Sequence, residues 1–595
     1  MTGRKKDPIW CNFIEIKENR SVKARCKKCD IIMVGLVTRM KTHVKKCNST
    51  LVNVNEDSAS DSSSIRSRSP SCITTATDTV THTLPSTSRS TISMLTQSKL
   101  RSMDMEPFIV RTSIANKKKF DIQIAKFIYA TNSAFKHVEH PEFIKLINLL
   151  HPGYKPPLRR QIANELLNEV FDSELLKIKD CLNGKNVCMA QDGWSNIHND
   201  SIVCISVTDI IDETVHLCDT IDTEGNSHTA EYLLNLAVTS IKSCQKHGCR
   251  VRSFVTDNAA NMRKMREQLA MCEELGMPDI ITYGCSAHIL NLLAHDIEIP
   301  GIKGHIKKIM KYFRNIHFAA AKYKEAGGKA LVMPQDVRWN TLANCLESYI
   351  SNWHILSKVC TDNRVAISSD ISSKVNDMNL KIKATDYLEK LKVISVALDK
   401  IQRDCCTIGE ATEIWIELIN HFKLQQNNFL ESDLNCVLQR FKMVMTPAHY
   451  LANLLDHRFR GLQLSQEQLD EAMEYVNLYH PAAMSDIMSY RAKTSPFKNY
   501  LFWGESIKNV KPITWWLALK MNVNPVTFDL VIQLHTAIAS SAGIERLFSA
   551  FGLVHTKLRN RLGVEKASKL VTILKALNKK GEVDQTEHEI ETESV

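Results

Sequence analysis

No stretch of the 595-residue chain holds the run of about 18 apolar residues that crosses a bilayer as a helix, so no membrane partner is expected. The opening MTGRKKDPIW is charged with no apolar segment behind it, which argues against a secretory signal peptide. A Walker-type glycine loop, a nucleophile elbow and a kinase signature are all missing, so nucleotide hydrolysis and acyl transfer have no residues to carry them. Eighteen cysteines are too thinly spread for a disulfide scaffold and read as reduced side chains of a cytosolic or nuclear protein. What remains is globular in balance, 44% apolar and 24% charged, and long enough for about two to four domains.

The net charge of +11 is unevenly placed. Residues 1–50 hold thirteen Lys/Arg against four Asp/Glu, while the last fifteen residues hold six acids and no Lys or Arg. A basic block suits a polyanion, because neutralising phosphates releases counterions; a soluble surface or a nuclear-import patch has the same composition. Inside the block, Cys26 and Cys29 are separated by two residues, His43 and Cys47 by three, and thirteen lie between the pairs. Two close pairs on a short loop can set four N/S ligands tetrahedrally about a structural Zn²⁺. The second pair falls on an expected helix, where i, i+4 spacing puts both ligands on one face. Lys41, Lys45 and Lys46 flank that pair, and Trp10 and Phe13 are placed to cover the metal core.

From about Asn48 to Leu100 the chain is rich in Ser, Thr, Asp and Arg and poor in aromatics, the composition of a disordered linker. Amphipathic helices, broken at Pro141 and at Pro152 to Pro157, resume near Phe108. Next comes a short strand, Val187 to Gln191, ending in Asp192, then β-rich runs at 201–210 and 214–221. A helix over about 229–246 and a strand VRSFVTD ending on Asp257 follow, then a fifth strand, IITYG. Three strands, a helix and a fourth strand open an RNase H-like fold, in which strand-end carboxylates meet over the sheet. Strand-end aspartates are also common as caps and turn residues. Residues 300–510 are helical in pattern with no recognisable chemistry. Far downstream, Ile544, Leu547, Phe551, Val554 and Leu558 form one helical stripe. Ser540 and Ser541 stand at its start, and Glu545 at its edge.

Aromatics ahead of Cys-x2-Cys and His-x3-Cys resemble a BED-type zinc finger, a DNA-binding module. The string Ala539, Ser540, Ser541, Ala542, then Glu545, Arg546, Phe548, Ser549, and later Arg559, Arg561 and Leu562, resembles the C-terminal signature of the hAT superfamily of DNA transposases. Asp192-Gly-Trp-Ser and Thr-Asp257-Asn-Ala-Ala-Asn resemble that family's patterns around its first two catalytic aspartates. Cys285 and His288 match its Cys-x2-His, and Arg338-Trp339 its Arg-Trp dipeptide, whose tryptophan helps hold a DNA base out of the helix. A zinc pair at Cys285 and His288 is the competing idea, but no second ligand pair stands close by.

The resemblance implies an RNase H-like α/β core interrupted by a large all-α insertion, with C-terminal dimerisation helices. The expected division is a finger at 1–50, a linker at 51–105 and a helical platform at 106–184. The first part of the core follows at 185–300, the insertion at 301–510, the core's end with the dimerisation region at 511–579, and an acidic tail at 580–595. It further implies that Asp192, Asp257 and Glu545 hold two Mg²⁺ or Mn²⁺ ions about 4 Å apart for phosphoryl transfer. Double-stranded DNA is the implied partner, met by Lys41, Lys45, Lys46, His288, Trp339, Arg559 and Arg561, and a nuclear homo-dimer or larger oligomer the implied state. The alternative is a domesticated nuclear factor that binds DNA and dimerises without cutting. Gly543-Ile544 departs from the small-polar pair more usual before the glutamate.

Overall fold

The computed structural model describes residues 8–18, 21–34, 37, 40, 43, 44, 47 and 113–592, except 197–198, 274, 277–278, 335–339, 425–429, 557–558 and 560–561. Of 8, 16–18, 21, 22, 34, 340, 506 and 579–592 it describes the backbone alone. The chain divides into two compact units, Met1–Arg101 and Ser102–Val595.

In the first unit three short strands form an antiparallel meander: β1 (Phe13–Glu18), β2 (Ser21–Cys26) and β3 (Ile32–Val34). Cys26 ends β2, and the turn after it closes on Asp30, whose φ of 57° is left-handed. Val37, Met40, His43, Val44 and Cys47 lie in helical backbone, as the ligand spacing predicts. Phe13, Ala24, Cys26 and Met40 are the buried centre, with Trp10 and Val44 packed against them. The expected linker at 51–105 lies outside the described residues.

The second unit is mostly helical around one five-stranded mixed sheet. Its strands are β4 (Asn186–Ser195), β5 (Ser201–Asp209), β6 (Thr214–Asp222), β7 (Arg250–Thr256) and β8 (Ile281–Gly284), in the order β6-β5-β4-β7-β8. β4, β5 and β6 pair antiparallel; β4, β7 and β8 pair parallel. The parallel half needs crossovers, supplied by the helices Ala230–Lys246 and Ala260–Ala270. Alternation along β4 sends Val187 and Met189 to one core and Cys188 and Ala190 to another. Both faces are therefore covered, which is why β4 and β5 read as nearly unbroken apolar runs.

Helices precede the sheet from Ile114–Ala130 to Glu165–Leu182. Between β8 and Ala542 the described elements are again helical, from Ser286–Asp296 to Pro525–Thr536. An extended segment then leads to the helix Ala542–Val554, and the helix Val564–Thr592 closes the chain. Among the described residues no helix is long and apolar enough to cross a membrane.

Three details differ from the sequence reading. β4 does not stop before Asp192 but runs on to Ser195, because Asp192 to Ser195 still pair with β5. The apolar stripe outlasts its helix, which ends at Val554 with His555 donating its N–H to Phe551 O; Leu558 lies outside the described residues. The last helix does not stop at the expected boundary of 579 but continues into the acidic tail as far as Thr592.

Candidate functional site

In the N-terminal unit Cys26, Cys29, His43 and Cys47 each offer a ligand atom, and all four atoms lie within 4.8 Å of one another. Cys29 Sγ is 3.2 Å from His43 Nε2. Tetrahedral zinc with bonds of about 2.0–2.3 Å needs its ligands roughly 3.5 Å apart, so this Cys3His set can hold zinc. The Phe13 ring lies 5.9 Å from the His43 ring and helps fix it. Burial pushes the Cys26 thiol up, but the backbone N–H groups of Lys28 and Cys29, with His43, outweigh it and bring it down to about 6. Burial and then Cys29 push Cys47 up to about 11. Lys41, Lys45 and Lys46 lie outside the described residues.

In the second unit the pairing register places the two aspartates. Gln191 pairs with Thr256, and Thr256 with Gly284, on three parallel neighbours. The next residue on each chain is Asp192, Asp257 and Cys285, one step beyond the last parallel pairs, and Cys285 N still donates to Thr256 O. Gln191 and Thr256 serve the face carrying Ala230–Lys246 and Ala260–Ala270: Gln191 donates to Leu233 O, and Arg266 donates to Thr256 Oγ1. By alternation Asp192 turns to the other face, where Trp194, two residues on, meets Phe548 and Phe551 of the helix Ala542–Val554. Glu545 stands in the first turn of that helix.

Asp257 and Glu545 both act on Asp192. Burial first, then Asp257 and Glu545, push the Asp192 carboxyl up from 3.8 to about 7, against the pull of the Gly193 N–H. That N–H donates to Asp192 Oδ1 at 2.7 Å, and Asp257 Oδ1 accepts from Ala259 N at 3.2 Å. Among the described residues the Cys3His set is the one group of three or more such side chains close enough to hold a metal ion, and the three carboxylates are not part of such a group.

Glu545 reaches this place through contacts that are remote in sequence. Cys285 Sγ accepts the N–H groups of His288 and Ser541, each at 3.4 Å, and Ser286 N donates to Ala539 O at 2.9 Å. Tyr283 Oη donates to Ile538 O at 2.8 Å. On the other side Ala539 N donates to Cys406 O and Ile408 N to Ala537 O. The segment before Glu545 is thus clamped between the sheet and the turn at 402–408. Arg546 reinforces the clamp, donating to Gln402 O at 3.0 Å and to Asp404. Gly284 matters for space: a Cβ there would fall 1.8 Å from Asn258 Oδ1, and Asn258 Nδ2 holds Cys285 O at 2.9 Å. Sequence reading missed Tyr283, Asp404, Gln402 and Arg546 as braces, since their partners lie 142 to 255 residues away and leave no local signal.

His288 is half-buried in the first turn of Ser286–Asp296. Arg559 donates to Asn132, to Oδ1 and at 2.6 Å to the carbonyl O, and burial lowers its pKa. Its guanidinium is engaged within the chain. Trp339 and Arg561 lie outside the described residues. The stripe residues Ile544, Leu547, Phe551 and Val554 are all buried by the chain itself. No family model and no curated protein matches this chain.

Proposed function

We propose that this chain is a metal-dependent DNA strand-cutting and strand-joining enzyme of the hAT transposase kind, with an N-terminal zinc finger that binds DNA. The single observation that carries the reading is that Asp257 and Glu545 both bear on the Asp192 carboxyl, although Glu545 comes from a helix more than 300 residues further along the chain. The strand order β6-β5-β4-β7-β8, antiparallel in one half and parallel in the other, suits an RNase H-like core. A long helical stretch between β8 and Ala542 suits the all-α insertion.

Asp192, Asp257 and Glu545 would hold two Mg²⁺ or Mn²⁺ ions about 4 Å apart. When bound, the ions supply an activated attacking oxygen and a stabilised leaving oxygen. The residues' own part is electrostatic. Burial does most to push the Asp192 carboxyl up, and the negative charges of Asp257 and Glu545 add to it. A divalent cation held there would offset those charges, and Asp192 would give up its proton to serve as a ligand. The DNA steps follow the family: water nicks a transposon end, the freed 3′-hydroxyl attacks the opposite strand, and a 3′-hydroxyl later joins target DNA. A nuclear location and a homo-oligomer belong to the same reading, although the 544–554 stripe needs no second copy to cover it.

The test is Mg²⁺- or Mn²⁺-dependent nicking of duplex DNA carrying the element's own flanking ends by the full chain. Tight binding to those ends without cutting under any divalent ion would move the reading to a domesticated DNA-binding regulator.

A further inference from the structure

The helix Ile302–Asn315, IKGHIKKIMKYFRN, is divided sharply between two sides. Ile302, Ile306, Ile309, Met310 and Phe313 are buried in the large core. Lys303, Lys307, Lys311 and Arg314 recur at steps of four, four and three, so they share one side of the helix, with Lys311 and Arg314 exposed and Lys303 and Lys307 half-buried and engaged within the chain. Over residues 302–330 the chain holds eight Lys/Arg and one acid, Glu325, which pairs with Lys322 at 2.7 Å. Asp370 reaches in from a neighbouring helix and takes Lys308 at 2.9 Å, at the flank of the basic face rather than on it. An open recess beside that face is lined by Lys308, Lys311, Tyr312, Asn315, Ser368 and Asp370; its amide and hydroxyl groups can meet phosphate, while the Asp370 carboxylate is held by Lys308 and Lys374.

We infer that the face Lys303, Lys307, Lys311 and Arg314 is a track for the phosphate backbone of duplex DNA. The inference rests on the reading that this chain acts on DNA, and it gives the helical stretch a role that its sequence pattern does not declare. From Lys303 to Arg314 the helix rises about 16 Å, and one DNA strand presents a phosphate roughly every 3.4 Å along its axis. Four cations along that length match a regular polyanion better than the scattered carboxylates of an acidic protein surface. The face also belongs near the carboxylates in the chain's own order. One helix of 11 residues, about 16 Å long, and a short turn separate it from Cys285, the residue beside Asp257.

The experiment uses the full chain and a random-sequence 30-base-pair duplex, with affinity measured against NaCl concentration. The variants are Lys307→Gln/Lys311→Gln/Arg314→Gln and, as a milder form, Lys311→Gln/Arg314→Gln. The control is Lys383→Gln/Lys423→Gln/Lys498→Gln, three exposed lysines elsewhere. Contacts made by the finger are common to all of them and cancel in the comparison. Each lost phosphate contact lowers the log–log salt slope by about 0.9, so the triple variant drops by about 2–3 and the double by about 2, with the control unchanged. A triple variant within about 0.5 of wild type, or a control that loses as much, overturns the inference. So does a loss confined to single-stranded RNA or polyglutamate probes run in parallel. A chain that binds but never cuts DNA removes the enzyme reading and leaves this result standing, because the slope reads binding alone.

Discussion

Trp194 and Phe548 stack, with ring centroids 5.3 Å apart and planes 21° from parallel. Asp192 lies two residues before Trp194 on β4, and Glu545 one helical turn before Phe548. The stack therefore fixes the spacing between the strand and the helix that bring two of the three carboxylates together. Offset stacking adds about 0.5–1.5 kcal/mol to the burial of the rings themselves.

Phe548→Ala removes that spacer without touching a carboxylate. The expected cost is about 2–3 kcal/mol of stability, read by denaturant unfolding. Divalent-cation affinity and DNA cleavage should fall further than that cost explains, by up to about 100-fold for cleavage, because a misplacement of about 1 Å is enough. Phe548→Leu should recover stability more fully than cleavage.

Asp192 makes the metal-free protein pH-sensitive in a defined direction. Its carboxyl titrates near 3.8 when exposed and about 7 in the fold. Below about pH 3 it is protonated in both states and costs nothing. As pH rises the unfolded chain ionises first, so stability falls until about pH 7 and stays lower above it. Asp192→Asn abolishes this loss and should stabilise the EDTA-treated chain at pH 8 by up to about 4 kcal/mol, with the gain vanishing below about pH 3. Added Mg²⁺ should raise the melting temperature of wild type and not of the variant. Parallel pH profiles for the two proteins would show that Asp192 is not strained in this way.

The zinc set makes a separate prediction. Cys29→Ser keeps the shape but gives a poor ligand, so metal analysis should fall from one zinc per chain to none. Sequence-specific DNA binding should be lost with it, while unfolding of the larger unit stays unchanged. Absence of stoichiometric zinc in the wild-type chain would contradict the assignment.

Much of the site was legible in the sequence because its parts are local. Apolar β-rich runs marked the strands, and Asp192 and Asp257 stood where those runs ended. The Cys26/Cys29 and His43/Cys47 spacing carried the metal set outright. Periodicity failed where packing decides: the stripe pattern runs on through Leu558, yet its helix ends at Val554. It could not reveal the clamp on Ala537–Ser541 either, since Tyr283, Cys285 and Cys406 are remote in sequence and meet only in the fold. The basic face at 303–314 was visible as residues but not as a surface. Its meaning depends on which side of the helix is buried.

Glu545→Gln tests the central claim most directly, because it keeps size and polarity and removes only the charge that would hold a cation. The measurement is Mg²⁺- or Mn²⁺-dependent nicking of a DNA end by wild type and variant, with binding to the same DNA followed in parallel. The account predicts that wild type cuts, that the variant's cleavage falls by about 1,000-fold or more, and that both bind equally well. Cleavage that survives in Glu545→Gln would contradict it.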